Sequence, residues 1–273
     1  MGPGAVGLGA PRPRAHAPLE GVGRGCGGGW GTGCPPALTH NHHSSSLFLI
    51  GTVHGDPRGY GRAWKLLHQL QPDLITVETS PFSVRYRLRQ EKRWQRLLRL
   101  ALEDLPASER EHPAIQRLRA QVALPFEFRV ARDYSYAYGI PWRPLDLGAA
   151  ARRHLPRYAG ELLSTDNLRA LLASEEVSLE EFVAGELRRA RLAYERSPWR
   201  LPTHSAPETL RRERVLAKRL RRLAQRGRRV VHLGGWEHLV PWRDLSGLRG
   251  LLADLQPETL LLGNDDTLSV KKN

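Results

Sequence analysis

Sulfur is nearly absent from this chain, with two cysteines and one methionine, and no apolar run approaches the ~18–20 residues that a membrane span requires. Cys26 and Cys34 both sit in a glycine-rich stretch, so a disulfide-stapled scaffold is excluded. Lysine is scarce as well, at five residues against 37 arginines, and isoleucine and asparagine are each used four times. Abundant arginine, glycine, alanine and proline beside so little lysine, isoleucine and asparagine is the usage of a GC-rich genome. The formal charge of +14 at pH 7 favours solubility and anionic partners, but it does not by itself point to a nucleic-acid partner. What is present is globular: 40% hydrophobic and 26% charged residues over 273 positions, enough for one large core or two small ones.

Residues 1–46 hold twelve of the 26 glycines and six of the 20 prolines, without aliphatic periodicity. Such a segment cannot offset its ordering entropy by burial and reads as disordered. No continuous apolar stretch follows a basic start, so it does not read as a signal peptide, and the expected location is cytoplasmic. His40, His42 and His43 read as part of this solvated tail rather than as a metal site. The folded domain is expected over 47–266, with a flexible tail at 267–273.

Leu47-Phe48-Leu49-Ile50 is a short apolar run stopping at Gly51, the pattern of a strand buried on both faces. Tyr60, Ala63, Trp64, Leu67 and Leu70 then share one helical stripe, and after Pro72-Asp73 the run Leu74–Val77 reads as a second strand. Strand, helix, strand within some thirty residues predicts a βαβ unit with parallel strands. From Val84 to Arg132 the pattern is helical and strongly basic. Ile140 to Asp146 reads as a short strand that its two prolines confine to an edge. Ala149 to Leu201 is helical again, with Ser178 a capping residue. A loop spans Pro202–Pro207, and a helix runs from Glu208 to Gln225, ending at Gly227. Arg229–Leu233 and Thr259–Leu262 complete the strands. The fold class is therefore α/β: a mostly parallel sheet flanked by helices, with helical insertions at about 82–132 and 149–207 covering the carboxyl ends of the strands.

Each of four strands runs into a polar group: His54 after the first, Glu78 after the second, Asp146 after the third, and Glu237-His238 after the fourth. Ligands bind outside the carboxyl ends of parallel strands, so His54, Glu78, Asp146 and His238 are expected to converge. Two imidazoles with one or two carboxylates suffice for a divalent metal or for acid–base chemistry. Glu213 falls on the apolar stripe of its helix with Leu210, Leu216, Leu220 and Leu223, where a carboxylate needs a partner. Taken singly, each residue has a structural explanation: a satisfied buried histidine, a helix cap, a surface pair, or a turn glycine at Gly51 and Gly235. Their recurrence at all four strand ends argues for a shared site.

Gly51-Thr52-Val53-His54, then Pro72-Asp73 and a strand ending in Glu78, then Gly235-Trp236-Glu237-His238 resemble the TraB/PrgY/TIKI family, within the erythromycin esterase and ChaN-like superfamily. Gly139-Ile140-Pro141 leading to Asp146, and the pair Glu213-Arg214, fit the same pattern, although Trp236 and Glu237 stand where the family usually has small residues. The arginine that the family places soon after its first Glu has a loose counterpart in Arg85 or Arg87.

The resemblance implies a metal-dependent, TIKI-like peptidase or amide hydrolase acting on a peptide or small-molecule substrate. His54, Glu78 and His238 would be its ligands or general base for Mn, Co or Zn. Glu213 or Asp146 would orient an imidazole, and Arg62 or Arg85 would stabilise the oxyanion. Two alternatives share the site: a metal-free, erythromycin-esterase-like hydrolase with a histidine base, and a non-enzymatic peptide or haem binder. In either hydrolase reading, loss of His54 or His238 is expected to abolish activity with little loss of folding.

Overall fold

The computed structural model describes residues 47–263, apart from 104, 175–176, 196–206 and 225–226, together with the backbone of 268–269. The readings made on 1–46, on the loop at 202–206 and on Gln225 lie outside the described residues. Five parallel strands and one short antiparallel edge strand form a single sheet in the order β3-β2-β4-β1-β5-β6. They are β1 (Leu47–Thr52), β2 (Leu74–Val77), β3 (Trp142–Pro144), β4 (Val230–Gly235), β5 (Glu258–Leu261) and β6 (Leu268–Ser269). The α/β fold expected from the alternation of apolar runs is the one observed. β6 falls within the segment 267–273 expected as a flexible tail, and there Leu268 and Ser269 pair with Leu261 and Leu260; the rest of that segment lies outside the described residues.

β1 shows why its sequence has no polar face. Phe48 and Ile50 point into one core with Val231 and Leu233, while Leu47 and Leu49 point into another with Leu74 and Val230. The first core is closed by α1 (Gly59–Leu70) and α5 (Phe126–Tyr138), through Leu67, Val130 and Tyr134. The second is closed by α9 (Pro207–Ala224), through Leu216, Leu220 and Leu223. Covering both faces lets parallel strands be apolar throughout. Gly139, at φ 70°, ends α5 in the left-handed conformation that glycine adopts without strain.

Between β2 and β3 the chain inserts α2 (Pro81–Glu103), α3 (Ala107–Arg110) and α4 (Pro113–Val122) before α5; between β3 and β4 it inserts α6 (Gly148–Leu162), α7 (Thr165–Leu172) and α8 (Leu179–Glu195) before α9. α2, α4, α6 and α7 share a further core around Trp94, Ile115, Leu118 and Leu155. The basic stretch read as one insertion therefore divides. α2–α4 belong to the helical layer, whereas α5 is the crossover helix lying beside α1 on the sheet. Ser178 caps α8 as expected, its hydroxyl accepting from the Glu181 N–H while the Glu181 carboxylate accepts from the Ser178 N–H. No helix among the described residues is long and apolar enough to cross a membrane.

Candidate active site

The five residues singled out from sequence gather at the carboxyl ends of β1–β4. Glu78, immediately after β2, is the hub. One of its oxygens, Oε2, lies 2.8 Å from Nε2 of His238 and accepts the Gly235 N–H at 2.5 Å; the other takes the Arg212 guanidinium. His238 sits on a 3-10 turn (Trp236–Leu239) following β4, and its other nitrogen, Nδ1, lies 2.6 Å from Oε1 of Glu213 on α9. That approach is off the hydrogen-bonding axis, so it is an ion pair rather than a directional hydrogen bond. Asp146, after β3, does not reach the histidines. It grips Arg212 in a bidentate pair, both bonds at 2.8 Å, and so holds the guanidinium against Glu78.

His54 differs from His238 in kind. Its Nδ1 lies 2.7 Å from Oε1 of Glu127, in the first turn of α5, and Thr52 also donates to that oxygen at 2.8 Å. The side chain is 62% exposed, but what it faces is a cavity of about 1150 Å³ roofed by the helical layer. Its free nitrogen, Nε2, and Glu78 Oε2 both lie within 3.4 Å of the point where a Gly235 side chain would begin. The two motifs therefore converge on Glu78, one from each side of it.

Glycine is required here for space rather than for turning. Gly51 and Gly235 do not have positive φ. A Cβ on Gly51 would stand 3.0 Å from the Trp236 Cα and 2.7 Å from Leu239, so its hydrogen side chain lets the His238 turn approach β1. A Cβ on Gly234 would stand 3.0 Å from both Glu78 Oε2 and His232 Nε2. Gly234→Ala is expected to push Glu78 away from His238 and destabilise the fold by about 1–3 kcal/mol, as overpacking does. A denaturant melt would check it, and an unchanged midpoint would contradict it.

Charge is distributed unevenly over the three imidazoles. Burial works against protonation of His238, but Glu78 and Glu213 on either side outweigh it and push its pKa up to about 10. Burial likewise opposes the proton on His54, and the Glu127 carboxylate overcomes it, pushing the pKa to about 9. His232 on β4 is pulled down to about 3, by burial and then by the positive His238 beside it. Burial would raise Glu78, yet the charges of His238 and Arg212 hold its carboxyl well below the usual carboxylate range.

These shifts fix the pH dependence of stability. Below pH 6.5 the unfolded chain binds a proton that folded His232 refuses, so stability falls as pH drops toward about 3. His238 and His54 contribute fully below 6.5 and lose that contribution as pH rises toward about 10 and about 9. Urea midpoints should therefore peak near pH 6.5, the unperturbed imidazole value, and His232→Asn should make the acid limb shallower, leaving the part below about pH 4.5 that Glu78 supplies. Midpoints that climb steadily with pH would contradict this.

Sequence reasoning missed three of these residues. Glu127 follows an apolar-looking helix start, His232 was read only as part of a strand, and Arg212 was passed over for Arg214. The helical phase that brings Glu213 to the core leaves Arg214 exposed and turns Arg212 into the site. Of the arginines expected near an oxyanion, Arg62 pairs with Asp56 at 2.7 Å and Arg85 is exposed; the guanidinium that reaches Glu78 and Asp146 is that of Arg212.

The metal implied by the resemblance does not fit this arrangement. Among the described residues no group of three or more His, Cys, Asp or Glu could hold an ion. Both nitrogens of His238 face carboxylates, and both oxygens of Glu78 are engaged. Three buried acceptor atoms around the site have no hydrogen-bond donor among the described residues: Glu127 Oε2, Glu213 Oε2 and His232 Nε2. Thr76 makes a 3.0 Å hydrogen bond to His232 Nδ1 and directs its hydroxyl at the Val231 carbonyl. This assigns the ring proton to Nδ1 and leaves Nε2 a bare acceptor. Comparison of the chain with protein-family models, with curated proteins and with solved structures gives no match.

Proposed function

We propose that this chain is a hydrolase of esters or amides in which His54 is the general base toward water and Glu127 positions it. The observation that carries the reading is the His54–Glu127 pair at the mouth of the strand ends. A buried carboxylate holds Nδ1, and Nε2 is left open to the cavity beside Glu78. A carboxylate on one imidazole nitrogen fixes the tautomer and strengthens the other nitrogen as a base. His54 Nε2 would take a proton from water as the water oxygen bonds to the substrate carbonyl carbon. The carbonyl oxygen, now negative, would face Arg212, a cation fixed by Asp146 and Glu78 that need not reorganise as the charge develops. Collapse of the adduct breaks the bond to the leaving group, which receives the proton back from His54.

The Gly-x-x-His resemblance supports the hydrolase class, and the engaged ligands favour its metal-free form. A metal held by His54, Glu78 and His238 is the reading that their engaged nitrogens and oxygens disfavour. Hydrolysis of 4-nitrophenyl esters and of peptide amides, measured before and after exhaustive chelation, tests both. Activity expected to survive chelation and to vanish in His54→Gln supports the base mechanism. Activity lost with the metal and restored by Mn, Co or Zn supports the other, and no hydrolysis of any ester or amide ends the proposal.

A further inference from the structure

Arginine in place of lysine is the default of this chain, but the exclusion of acid is not. The sequence holds 28 Asp and Glu to 42 Lys and Arg, two acidic residues for every three basic ones. On the exposed face of α2, Arg85, Arg89, Lys92, Arg93, Arg96 and Arg99 stand with no acid among them. At 3.6 residues per turn these six fall within an arc of about 120°, along ~21 Å of helix. Glu91 lies outside that arc, and the first acid on it is Glu103, one turn past Arg99. None of the six has an ion pair or hydrogen bond among the described residues. The opposite face is committed, since Trp94 and Leu102, with Tyr86 and Leu98, anchor α2 in the core of the helical layer. The helix cannot roll to spread its charges, and Arg85 and Arg89, Arg89 and Arg93, and Lys92 and Arg96 repel each other one turn apart. An anionic surface laid along this face relieves that repulsion.

Two leucines decide which surface fits. Leu88 and Leu100 are 42% and 46% exposed; Leu100 lies within the arc of cations and Leu88 at its edge. A nucleic-acid backbone has counter-charge for the arginines but no place for leucine side chains. A bilayer surface has both, anionic headgroups for the cations and the acyl boundary beneath for apolar side chains. α9 provides the contrast: Arg214, Lys218 and Arg222 also share an exposed face, but no large hydrophobic residue is exposed on that helix. We infer that α2 docks the domain on an anionic lipid surface, lying along it with its cations on the headgroups and Leu88 and Leu100 pressed between them. The attachment is peripheral, and it stands whether or not the cavity hydrolyses anything.

Co-sedimentation of the full chain with vesicles tests the inference. The chain should sediment with phosphatidylcholine vesicles that contain phosphatidylglycerol and not with phosphatidylcholine alone, and raising the salt should release it. Each cation near such a surface is worth ~5-fold in affinity, so Arg89→Gln/Arg93→Gln/Arg96→Gln should lose ~100-fold. Arg214→Gln/Lys218→Gln/Arg222→Gln removes the same charge from α9 and should lose less than ~10-fold. Leu88→Ser/Leu100→Ser leaves the charge intact and should lose ~10-fold. Melting midpoints of the α2 charge variant should equal or exceed that of the parent, because repulsion within the helix is relieved. No retention on the anionic vesicles, equal losses in the α2 and α9 charge variants, or a leucine variant that binds like the parent would overturn the inference. Fluorescence anisotropy with labelled duplex DNA and duplex RNA covers the competing polyanion. Nucleic acid bound through the α2 cations in place of vesicles would assign the face to a phosphate backbone and overturn the lipid surface.

Discussion

Glu213→Ala is expected to destabilise the fold by about 3–5 kcal/mol, because it leaves a buried imidazolium with one of its two counter-charges removed. Glu213 is 2% exposed and His238 6%, so neither side chain can turn to water when its partner is lost. In a domain of this size that loss corresponds to roughly 2–4 °C of melting temperature per kcal/mol. Glu213→Gln keeps the shape and an acceptor, so it should lose less. The more telling variant is the double replacement Glu213→Leu/His238→Leu. It removes both charges and their desolvation together, and Glu78 retains Arg212 and the Gly235 N–H. That variant should be more stable than Glu213→Ala although it carries more substitutions, since a buried pair contributes little net stability while half of one is costly. Chemical denaturation of the three variants decides it. If the double variant is the least stable, the pair is a net stabiliser and the charge argument is wrong.

The same geometry separates two histidines that the sequence presents as equivalent. Gly51-x-x-His54 and Gly235-x-x-His238 have identical spacing, and loss of either was expected to spare the fold. Spacing does not reveal burial: His54 follows a strand into a cavity, whereas His238 sits in a turn pressed against β1 where Gly51 makes room. His238 thus belongs to the stability of the domain, whatever part it has in the proposed chemistry. Strand positions were legible because buried parallel strands are continuous apolar runs between glycine and proline signals: β2 has its expected bounds, and β1, β4 and β5 differ from theirs by one or two residues. Convergence of the strand ends followed from topology alone. The partners that complete the site were not legible in the same way. Glu127 arrives on a helix more than 70 residues along the chain from His54, and no local period marks it. Arg212 differs from Arg214 only by its helical phase relative to Glu213, in a helix that carries six arginines among its 18 residues. Where arginine is the default surface residue, identity carries little information and only geometry selects the functional one.

His54→Gln should lower kcat/KM for ester hydrolysis by ~10²–10⁴, the usual contribution of a general base, and should also cost stability at neutral pH, because the buried Glu127 carboxylate loses its counter-charge. The pH profile gives the finer test. With its pKa near 9, His54 is protonated in the resting protein at neutral pH, and only the unprotonated form accepts a proton from water. The rate should therefore rise through neutrality and level off near pH 9. Glu127 is the group that raises the pKa against the opposing effect of burial, so Glu127→Gln should move this limb toward lower pH while reducing the plateau. A residue that merely supported the fold would lower the plateau and leave the limb where it was. A base that is mostly protonated in the resting state is a defect unless something in the catalytic cycle lowers its pKa. Filling the cavity does so, since displacing water from around the imidazole strengthens the burial penalty on its charged form. The profile of kcat, which reports the occupied site, should then show its limb below that of kcat/KM, which reports the free protein. Coincident limbs would mean that substrate does not enclose His54, and the base would have to be sought elsewhere in the cluster.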